Sequence, residues 1–319
     1  MDWLDFDEPR IKGFYVYSPF ETKLQQKIIL LFNKQLEKKG YLNYTFPTVG
    51  LFEDLKKEHE LFELNNECFA LNKDYFLKPT SEAVVYPFLI KQQFNNFKYY
   101  QVGPVFRNES KHCKKLVRSR QLAFFHESHA IVEPNLAEKT FQEATELYEE
   151  FFHNLGIKVN LVYRPPEDRF PGAEKTLAFD SVEENVQVGS IHLLKKDFLS
   201  AFGKTQKRVV CFGFTQRVQG VMKEIPIKYH PYPVVIINMT DKKIDLSGDF
   251  CVLTYDKKKL PFSKFMSAVD SFYKPLVKIK VGLKELSNNK IQWTYAHQSY
   301  VSTLQTLDQD LLAFSKDFC

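Results

Sequence analysis

Long apolar runs are missing from this 319-residue sequence. No stretch approaches the roughly 18–20 apolar residues that a helix needs to cross a bilayer, so we expect no membrane span. The first residues, Met1 to Asp5, have neither the basic region nor the apolar region of a secretory signal peptide. These absences favour a protein of the cytoplasm.

Glycine and cysteine are also scarce. The 12 glycines, beside 30 phenylalanines, suit a dense core of sheet and helix. The five cysteines are scattered and form no CxxC pair: Cys68, Cys113, Cys211, Cys251 and Cys319. Their odd number and spacing predict neither a disulfide framework nor a zinc site, and a reducing compartment is expected.

Arginine is absent after Arg217, although the whole chain carries a formal charge of +5. Residues 225–319 hold 13 Lys against 9 Asp plus Glu, a net charge of +4. A mildly basic chain permits a polyanionic partner without requiring one. The change in composition after about residue 225 predicts two domains, 1–227 and 228–319.

Hydrophobic periodicity predicts an α+β chain. Residues 20–39 carry apolar side chains at helical spacing and end at Gly40, residues 67–78 favour a hairpin, and Thr80 is a candidate N-cap of a second helix. Further strands are predicted at 98–107, 121–132, 157–164, 175–181, 185–192, 208–214, 233–239, 251–255, 277–282 and 290–297, and helices at 134–155, 215–224, 261–274 and 304–316. Hairpins and long excursions between the strands indicate an antiparallel sheet flanked by helices, followed by a small α/β domain.

Four segments gather arginine, glutamate, histidine and small polar residues. They read FLKPTSE at 76–82; VFRNE at 105–109, LVRSR at 116–120 and FHESH at 125–129; RPPEDRFPGAE at 164–174 leading to QVGSIH at 187–192; and FGFTQR at 212–217. In this order they resemble prolyl-tRNA synthetases, a class II aminoacyl-tRNA synthetase family, over roughly residues 12–224. The first is similar to the family's LRPTSE loop, and the second and fourth to class II motifs 2 and 3.

The resemblance implies a ligase that uses ATP and Mg²⁺ to activate proline as prolyl-adenylate and then charges tRNA. Residues 20–47 are similar to motif 1, which implies a homodimer built on this helix and strand. Adenylate formation brings a carboxylate to a phosphate, so cations must neutralise both anions. Arginine suits this task because its planar fork binds phosphate or carboxylate through two hydrogen bonds.

The resemblance assigns catalytic and ATP-binding roles to seven residues. Arg107 is expected at the α-phosphate and the substrate carboxylate, and Arg217 at the far end of a bent ATP. The other nucleotide contacts are Glu109 at the adenine, Arg118 and Ser119 on the motif 2 loop, and Gln187 and Ser190 at the ribose and the Mg²⁺-bound phosphates. The alternative for each arginine is an ordinary surface salt bridge.

Seven residues are assigned to proline by the same resemblance. Glu82 and Glu127 can pair with the ammonium group, and Thr80 offers a hydroxyl acceptor. The walls and orienting groups are Phe125, His129, Phe170 and His192. A secondary ammonium has only two N–H donors, which favours a small set of acceptors. The alternative for the histidines and phenylalanines is ordinary packing.

The chain departs from the family pattern at several positions. Leu193-Leu194-Lys195 follows His192 where the family has Asn-Leu-Gly, Gln121 stands where the family has Glu, and no editing domain is inserted. Residues 228–319 resemble a reduced anticodon-binding domain without arginine. Two alternatives therefore stay open: a paralogue that passes proline or an analogue to an acceptor other than tRNA, and a catalytically silent nucleotide- or amino-acid-sensing subunit.

Overall fold

The computed structural model describes residues 9–59, 68–92, 96–109, 112–203, 205–241, 244, 246, 250–295, 298–303 and 305–316. The predictions for Met1 to Asp5, for residue 67 and for Cys319 lie outside these ranges. The chain divides into a large unit, Ile28–Glu224 with the described residues from 9 to 16, and a small unit, Tyr17–Lys27 with the described residues from 225 to 316.

Helix α1 spans Pro19–Lys38 and confirms the helix predicted at 20–39. Ser18 and Glu21 form a capping box at its start: the Ser18 amide donates to Glu21 Oε2 (2.7 Å) and the Glu21 amide to Ser18 Oγ (3.2 Å). Its apolar stripe is fully buried at Ile28, Phe32 and Leu36. Gly40, with φ of +80°, follows the helix in the left-handed region that favours glycine.

The other elements of the large unit alternate between strands and a few helices. In chain order they are β1 (Leu42–Asn43), β2 (Val49–Leu51), α2 (Phe52–His59), β3 (Phe69–Ala70), β4 (Tyr75–Leu77), α3 (Glu82–Leu89), β5 (Phe97–Gly103), β6 (Phe125–Val132), α4 (Ala137–Asn154), β7 (Val159–Tyr163), β8 (Ala173–Ser181), β9 (Gln187–Leu194), β10 (Arg208–Thr215) and α5 (Arg217–Val221). Of these, α2 and β2 were not predicted from the sequence.

A seven-stranded sheet dominates the large unit, in the order β1-β5-β6-β10-β9-β8-β7. All its neighbours pair antiparallel except β1 with β5. The expected antiparallel sheet flanked by helices is thereby confirmed. Aromatic side chains from α1, α4 and one face of the sheet pack together, with Phe32 4.7 Å from Phe151 and 5.2 Å from Phe214 between ring centres.

Two predicted strands were too long. The strand expected at 98–107 ends at Gly103, because Pro104 has no amide hydrogen to continue the ladder. The strand expected at 121–132 begins only at Phe125. The parts of the two predicted strands that the observed strands do not include pair with each other outside the sheet. Next to this pairing, the Arg107 amide donates to the Arg120 carbonyl (2.8 Å).

The N-cap prediction was also wrong. The residue that precedes α3 is Ser81, not Thr80, and its side chain makes no capping hydrogen bond. The Thr80 hydroxyl instead donates to the carboxylate of Glu82. This contact draws Thr80 toward the acidic side chain that opens α3.

The small unit contains three parallel strands in the order β12-β11-β13, followed by an antiparallel pair. Its elements are β11 (Val234–Asn238), β12 (Cys251–Thr254), α6 (Phe262–Tyr273), β13 (Val277–Val281), α7 (Leu283–Asn288), β14 (Ile291–Tyr295), β15 (Gln298–Ser302) and α8 (Leu307–Lys316). The start of α1 belongs to this unit: the Phe20 ring lies 5.4 Å from the His230 ring. Among the described residues, no helix has the length and apolarity to span a bilayer.

Candidate active site

The sheet face opposite the aromatic core forms the floor of a cavity of about 290 Å³. Alternate residues of β6 point to this face, so Phe125, Glu127 and His129 line the cavity while His126 faces the core. His129 lies directly opposite Cys211 on β10, and Cys211 opposite His192 on β9. The pairing register therefore sets one row of cavity side chains across three strands.

The cavity brings together most residues that the sequence analysis proposed. Those that line it are Thr80, Glu82, Arg107, Phe125, Glu127, His129, Phe170, Gln187, Ser190, His192 and Arg217. Glu109, Arg118 and Ser119 do not line it. Six segments distant in the chain thus meet in one space within the large unit.

The two proposed catalytic arginines are anchored by backbone carbonyls. Arg107 Nε donates to the Pro79 carbonyl (3.1 Å), and Arg217 Nε donates to the Val117 carbonyl (2.6 Å). The Arg107 guanidinium lies over the Phe125 ring, 5.7 Å from its centre. Burial lowers the pKa of Arg217, and the nearby charges of Arg107 and Arg118 lower it further. Among the residues that the structure describes, neither arginine forms an ion pair with a carboxylate, and both line the cavity.

The motif 2 loop holds the three proposed nucleotide residues that lie outside the cavity. Arg118 Nη1 pairs with Glu109 Oε2 at 3.3 Å, and both side chains are partly exposed. Ser119 is 1% exposed, and its hydroxyl accepts a hydrogen bond from Gln216 Nε2 (3.3 Å). In this arrangement Ser119 connects the loop to motif 3, and its contact with a nucleotide stays a prediction.

Two buried carboxylates form the acidic end of the cavity. Glu82 is 4% and Glu127 3% exposed. Burial raises the pKa of Glu82, the charge of nearby His129 lowers it, and Glu127 adds a raising effect. A ligand cation placed here would replace the water that these carboxylates lose on burial.

A buried polar cluster lies beside the acidic end. Gln101 Nε2 donates to Ser81 Oγ (2.7 Å) and to Glu127 Oε2 (3.4 Å), and Lys78 Nζ donates to Gln101 Oε1 (3.4 Å). Burial lowers the pKa of Lys78, while Glu127 and Glu82 oppose that change. Gln101 therefore links the lysine to a carboxylate of the cavity, a role that sequence reasoning missed.

His192 is held between two hydroxyl groups. Its Nδ1 lies 3.0 Å from Thr176 Oγ1 and its Nε2 2.9 Å from Ser190 Oγ, and the Phe170 ring centre is 4.8 Å away. Burial lowers the pKa of His192 to about 3, and the charge of His129 acts in the same direction. The ring is thus neutral at physiological pH and fixed as a polar wall.

Gly213 keeps the cavity floor open below Phe125. A methyl group at Gly213 would approach two ring carbons of Phe125 to 2.7 and 2.9 Å and the His126 carbonyl oxygen to 3.0 Å. Glycine at this point of motif 3 therefore leaves the space in which the Phe125 ring lies.

Several lining residues were not assigned from the sequence. Asp168 and Arg169 belong to a quoted motif but were given no role, whereas Thr176 and Cys211 carried no signal in the pattern. Only the strand register shows that Thr176 and Cys211 lie at the cavity, since Thr176 is opposite His192 and Cys211 is opposite His129.

Comparison with known proteins relates this chain to a family of synthetases. Residues 65–222 match the model of the tRNA synthetase class II core domain (G, H, P, S and T). A proline–tRNA ligase of Methanopyrus kandleri is 30% identical over 269 residues, covering 73% of this chain and 56% of the relative. One from Sulfurisphaera tokodaii is 28% identical over 351 residues, covering 91% of this chain and 72% of the relative.

Solved structures show the same fold. The crystal structure of prolyl-tRNA synthetase from Cryptosporidium parvum complexed with L-proline and AMP superposes with a TM-score of 0.77 at 17% identity. The match covers 98% of this chain and 75% of that one. A second structure of that enzyme, with halofuginone and AMPPNP, has a TM-score of 0.79 at 18% identity.

Proposed function

Because this chain is a class II prolyl-tRNA synthetase-like protein, with the class II core at residues 65–222, we propose that it activates proline with ATP and passes the prolyl group to tRNA. The observation that carries the proposal is one cavity lined by two buried carboxylates, Glu82 and Glu127, and by two half-buried guanidinium groups, Arg107 and Arg217. The chain spans 56% of the length of its Methanopyrus kandleri relative.

The acidic end suits the amino group of proline. We assign the secondary ammonium to Glu82 and Glu127, with Thr80 as a further acceptor, because two N–H donors need two well-placed acceptors. Phe125 and Phe170 give apolar walls for the ring, and His129 and His192 border it. The wall histidine His192 is fixed by Thr176 and Ser190, which favours a rigid, small pocket.

The arginines suit the reacting anions. In the first step a carboxylate oxygen of proline attacks the α-phosphorus of ATP, the bond to the bridging oxygen breaks, and its electron pair leaves with pyrophosphate. Arg107 would hold the carboxylate against the α-phosphate, and Arg217 would hold the far phosphates, so the charge that shifts to pyrophosphate stays compensated. The attacking carboxylate carries no proton, so this step needs no general base.

In the second step a tRNA terminal hydroxyl attacks the prolyl carbonyl, and AMP leaves with the electron pair of the anhydride bond. The hydroxyl proton passes to the released phosphate or to water. The products are prolyl-tRNA and AMP.

Mg²⁺ is the metal that this function implies, bound through the ATP phosphates. The oxygen donors of Gln187 and Ser190 at the nucleotide side fit a hard cation that keeps most of its water. When bound, Mg²⁺ would neutralise charge on the departing phosphates.

The protein is proposed to be a cytoplasmic homodimer. Within residues 20–47, the apolar side chains of Leu30, Leu42 and Tyr44 are 53%, 55% and 40% exposed, which suits a surface that a second copy covers.

A different acceptor is favoured by one observation. Residues 225–319 contain no arginine, and lysine alone supplies their cations. Arginine stacks on bases and forks onto phosphates better than lysine, so specific contacts to an anticodon would be weak. A carrier protein or small metabolite as the proline acceptor is therefore the second candidate.

Transfer of labelled proline distinguishes these candidates. The full chain is incubated with ATP, Mg²⁺, labelled proline and total tRNA, and the label in RNase-sensitive, base-labile product is counted. We expect stoichiometric charging of one tRNA species. Proline-dependent ATP–pyrophosphate exchange without any labelled RNA would refute the tRNA acceptor, and absence of exchange would refute activation itself.

A further inference from the structure

Three buried side chains with different metal-binding donors converge at the acidic end of the cavity. Glu82, His129 and Cys211 each offer a donor atom, and these atoms lie within 4.8 Å of one another. Their exposed fractions are 4%, 2% and 3%. They come from the start of α3, from β6 and from β10, so no spacing in the sequence could reveal the cluster.

The imidazole of His129 is oriented for a ligand. Its Nδ1 lies 2.7 Å from the Tyr86 hydroxyl, and its ring stacks on the Tyr99 ring with centres 4.9 Å apart. Its Nε2 lies 3.6 Å from Glu127 Oε2. A histidine whose second nitrogen is held by a neighbour is the usual arrangement for a metal ligand.

The donor types select a class of cation. A thiolate, an imidazole and a carboxylate form the ligand set that zinc uses, whereas Mg²⁺ requires oxygen donors in octahedral array. All three side chains line the cavity, which leaves a fourth position open to water or a ligand. Glu127 lies next to the cluster and adds negative charge. The positive charge of Lys78 partly offsets it.

We propose that this cavity binds one thiophilic divalent cation of the Zn²⁺ class through Cys211 Sγ, an imidazole nitrogen of His129 and the carboxylate of Glu82, and that the bound cation excludes proline. Coordination to Cys211 forms a metal–sulfur bond and releases the thiol proton to water. No electron transfer is involved, so the binding is reversible on chelation.

The exclusion of proline rests on the proposed function. The ammonium of proline is assigned to Glu82, and one carboxylate oxygen cannot serve both the cation and the ammonium. The cation would thus act as a competitive inhibitor toward proline and leave the nucleotide side accessible.

Cobalt provides a direct probe of the site. The chelator-treated full chain is titrated with Co²⁺, and the thiolate-to-cobalt charge-transfer absorption is recorded for wild type, Cys211→Ser and the matched control Cys113→Ser, whose cysteine is also buried but lies outside the cavity. We expect one Co²⁺ per chain, displaced by Zn²⁺ but not by excess Mg²⁺. The charge-transfer band should vanish in Cys211→Ser and persist in Cys113→Ser. Equal bands in both variants, or no band in wild type, would overturn the proposal.

A second variant covers the case in which Cys211→Ser does not fold. Glu82→Gln keeps the shape of the side chain but removes its charge, and it should weaken Co²⁺ binding by at least about tenfold while the band remains. Unchanged affinity in Glu82→Gln would contradict the assigned ligand set.

Proline then separates the two proposals. Added proline should raise the apparent Kd of Co²⁺ in wild type. Cobalt binding that proline does not affect would keep the metal site but refute competition and the assigned proline position. Proline-dependent exchange that Zn²⁺ does not inhibit would keep the proposed function and refute the exclusion.

Discussion

At the scale of single residues, one short segment supplies both the cavity and the core. Along Phe125 to His129, side chains alternate between the two faces of the sheet. His129 points into the cavity, whereas His126 stacks between Tyr100 and Phe214, with ring centres 5.5 and 4.9 Å away. Two histidines three positions apart therefore have different roles, one at the site and one in the core.

The arginines of the cavity give the first prediction. Arg107→Ala and Arg217→Ala should each lower the rate of adenylate formation by roughly 10²–10³, the usual cost of removing one preorganised charge donor. Pre-steady-state adenylate formation measures this rate directly. Arg217→Lys should recover only part of it, because lysine keeps the charge but lacks the planar fork.

Arg10→Ala is the matched control, since Arg10 is exposed and does not line the cavity. Its rate should equal that of wild type. Full activity in either cavity variant would contradict the roles assigned to Arg107 and Arg217.

His126 makes stability depend on pH. Its Nε2 lies 2.9 Å from Asn33 Oδ1, and burial lowers its pKa from 6.5 to about 3. As pH falls below 6.5 the unfolded chain binds a proton that the folded chain rejects, so stability is lost progressively between about pH 6.5 and 3. When the unfolded chain binds one more proton than the folded chain, the free energy of unfolding changes by about 1.4 kcal/mol per pH unit.

His126→Phe should remove the contribution of this one titrating group to the pH dependence of stability. At pH 7 the variant loses the hydrogen bond to Asn33 and should be less stable by about 1 kcal/mol. Between pH 6 and 4 its unfolding free energy should fall less steeply than that of wild type in urea titrations. The control His153→Gln changes an exposed histidine of α4. If its slope changed as much as that of His126→Phe, burial of His126 would not be the cause.

At the scale of elements, the sequence predicted long periodic segments better than their ends. The helix at 20–39 and the strands at 175–181 and 208–214 were found within two residues, because their apolar patterns are strong. Pro104 shortened a predicted strand because it removes a ladder donor, and helix α2 was missed because its eight residues carry few apolar side chains.

The residues of the cavity also fall into two groups, those that the sequence predicted and those that it could not. The ordered motifs predicted Arg107 and Arg217 as site residues, and both line the cavity. Cys211 and Gln101 could not be predicted, since their neighbours across the sheet are fixed by strand register rather than by distance along the chain. Register depends on packing of the whole sheet, which a single sequence does not display.

The glycine of β10 gives a prediction at this scale. Gly213→Ala should push the Phe125 ring into the cavity, because its methyl group would lie 2.7 Å from a ring carbon. We expect kcat/KM for proline to fall roughly tenfold to hundredfold, the effect of a displacement of about 1 Å at a reacting site.

Gly103→Ala is the matched control. It lies opposite Phe125 on β5, and a methyl group there would meet no atom within 4 Å. Its kinetics should match wild type. A similar loss in both variants would point to a general effect on the sheet rather than to the Phe125 ring.

At the scale of the whole molecule, the cavity is built by the large unit alone, and the exposed apolar residues of α1 and β1 lie outside it. Leu30 and Leu42 are more than half exposed. The division into two functional domains, 1–227 and 228–319, stays a prediction. A dimer built on residues 20–47 would leave the cavity of each copy intact.

Charged substitutions test this dimer. Leu30→Glu combined with Leu42→Glu should convert a dimer at micromolar concentration into a monomer, because burying charges of one sign without a partner in the interface is costly. Sedimentation velocity measures the change. Leu283→Glu, at a 70% exposed leucine of α7 in the small unit, is the control and should leave the dimer unchanged. A monomeric wild type with full exchange activity would refute the dimer.

We propose that this cavity selects proline for adenylation. ATP–pyrophosphate exchange by the full chain, measured with each of the twenty amino acids in turn, tests it most directly. Proline should drive exchange well above alanine, cysteine and threonine, because two carboxylates and a small walled pocket suit a secondary ammonium and its ring. Exchange driven best by threonine or serine would contradict the account and leave only the class II fold.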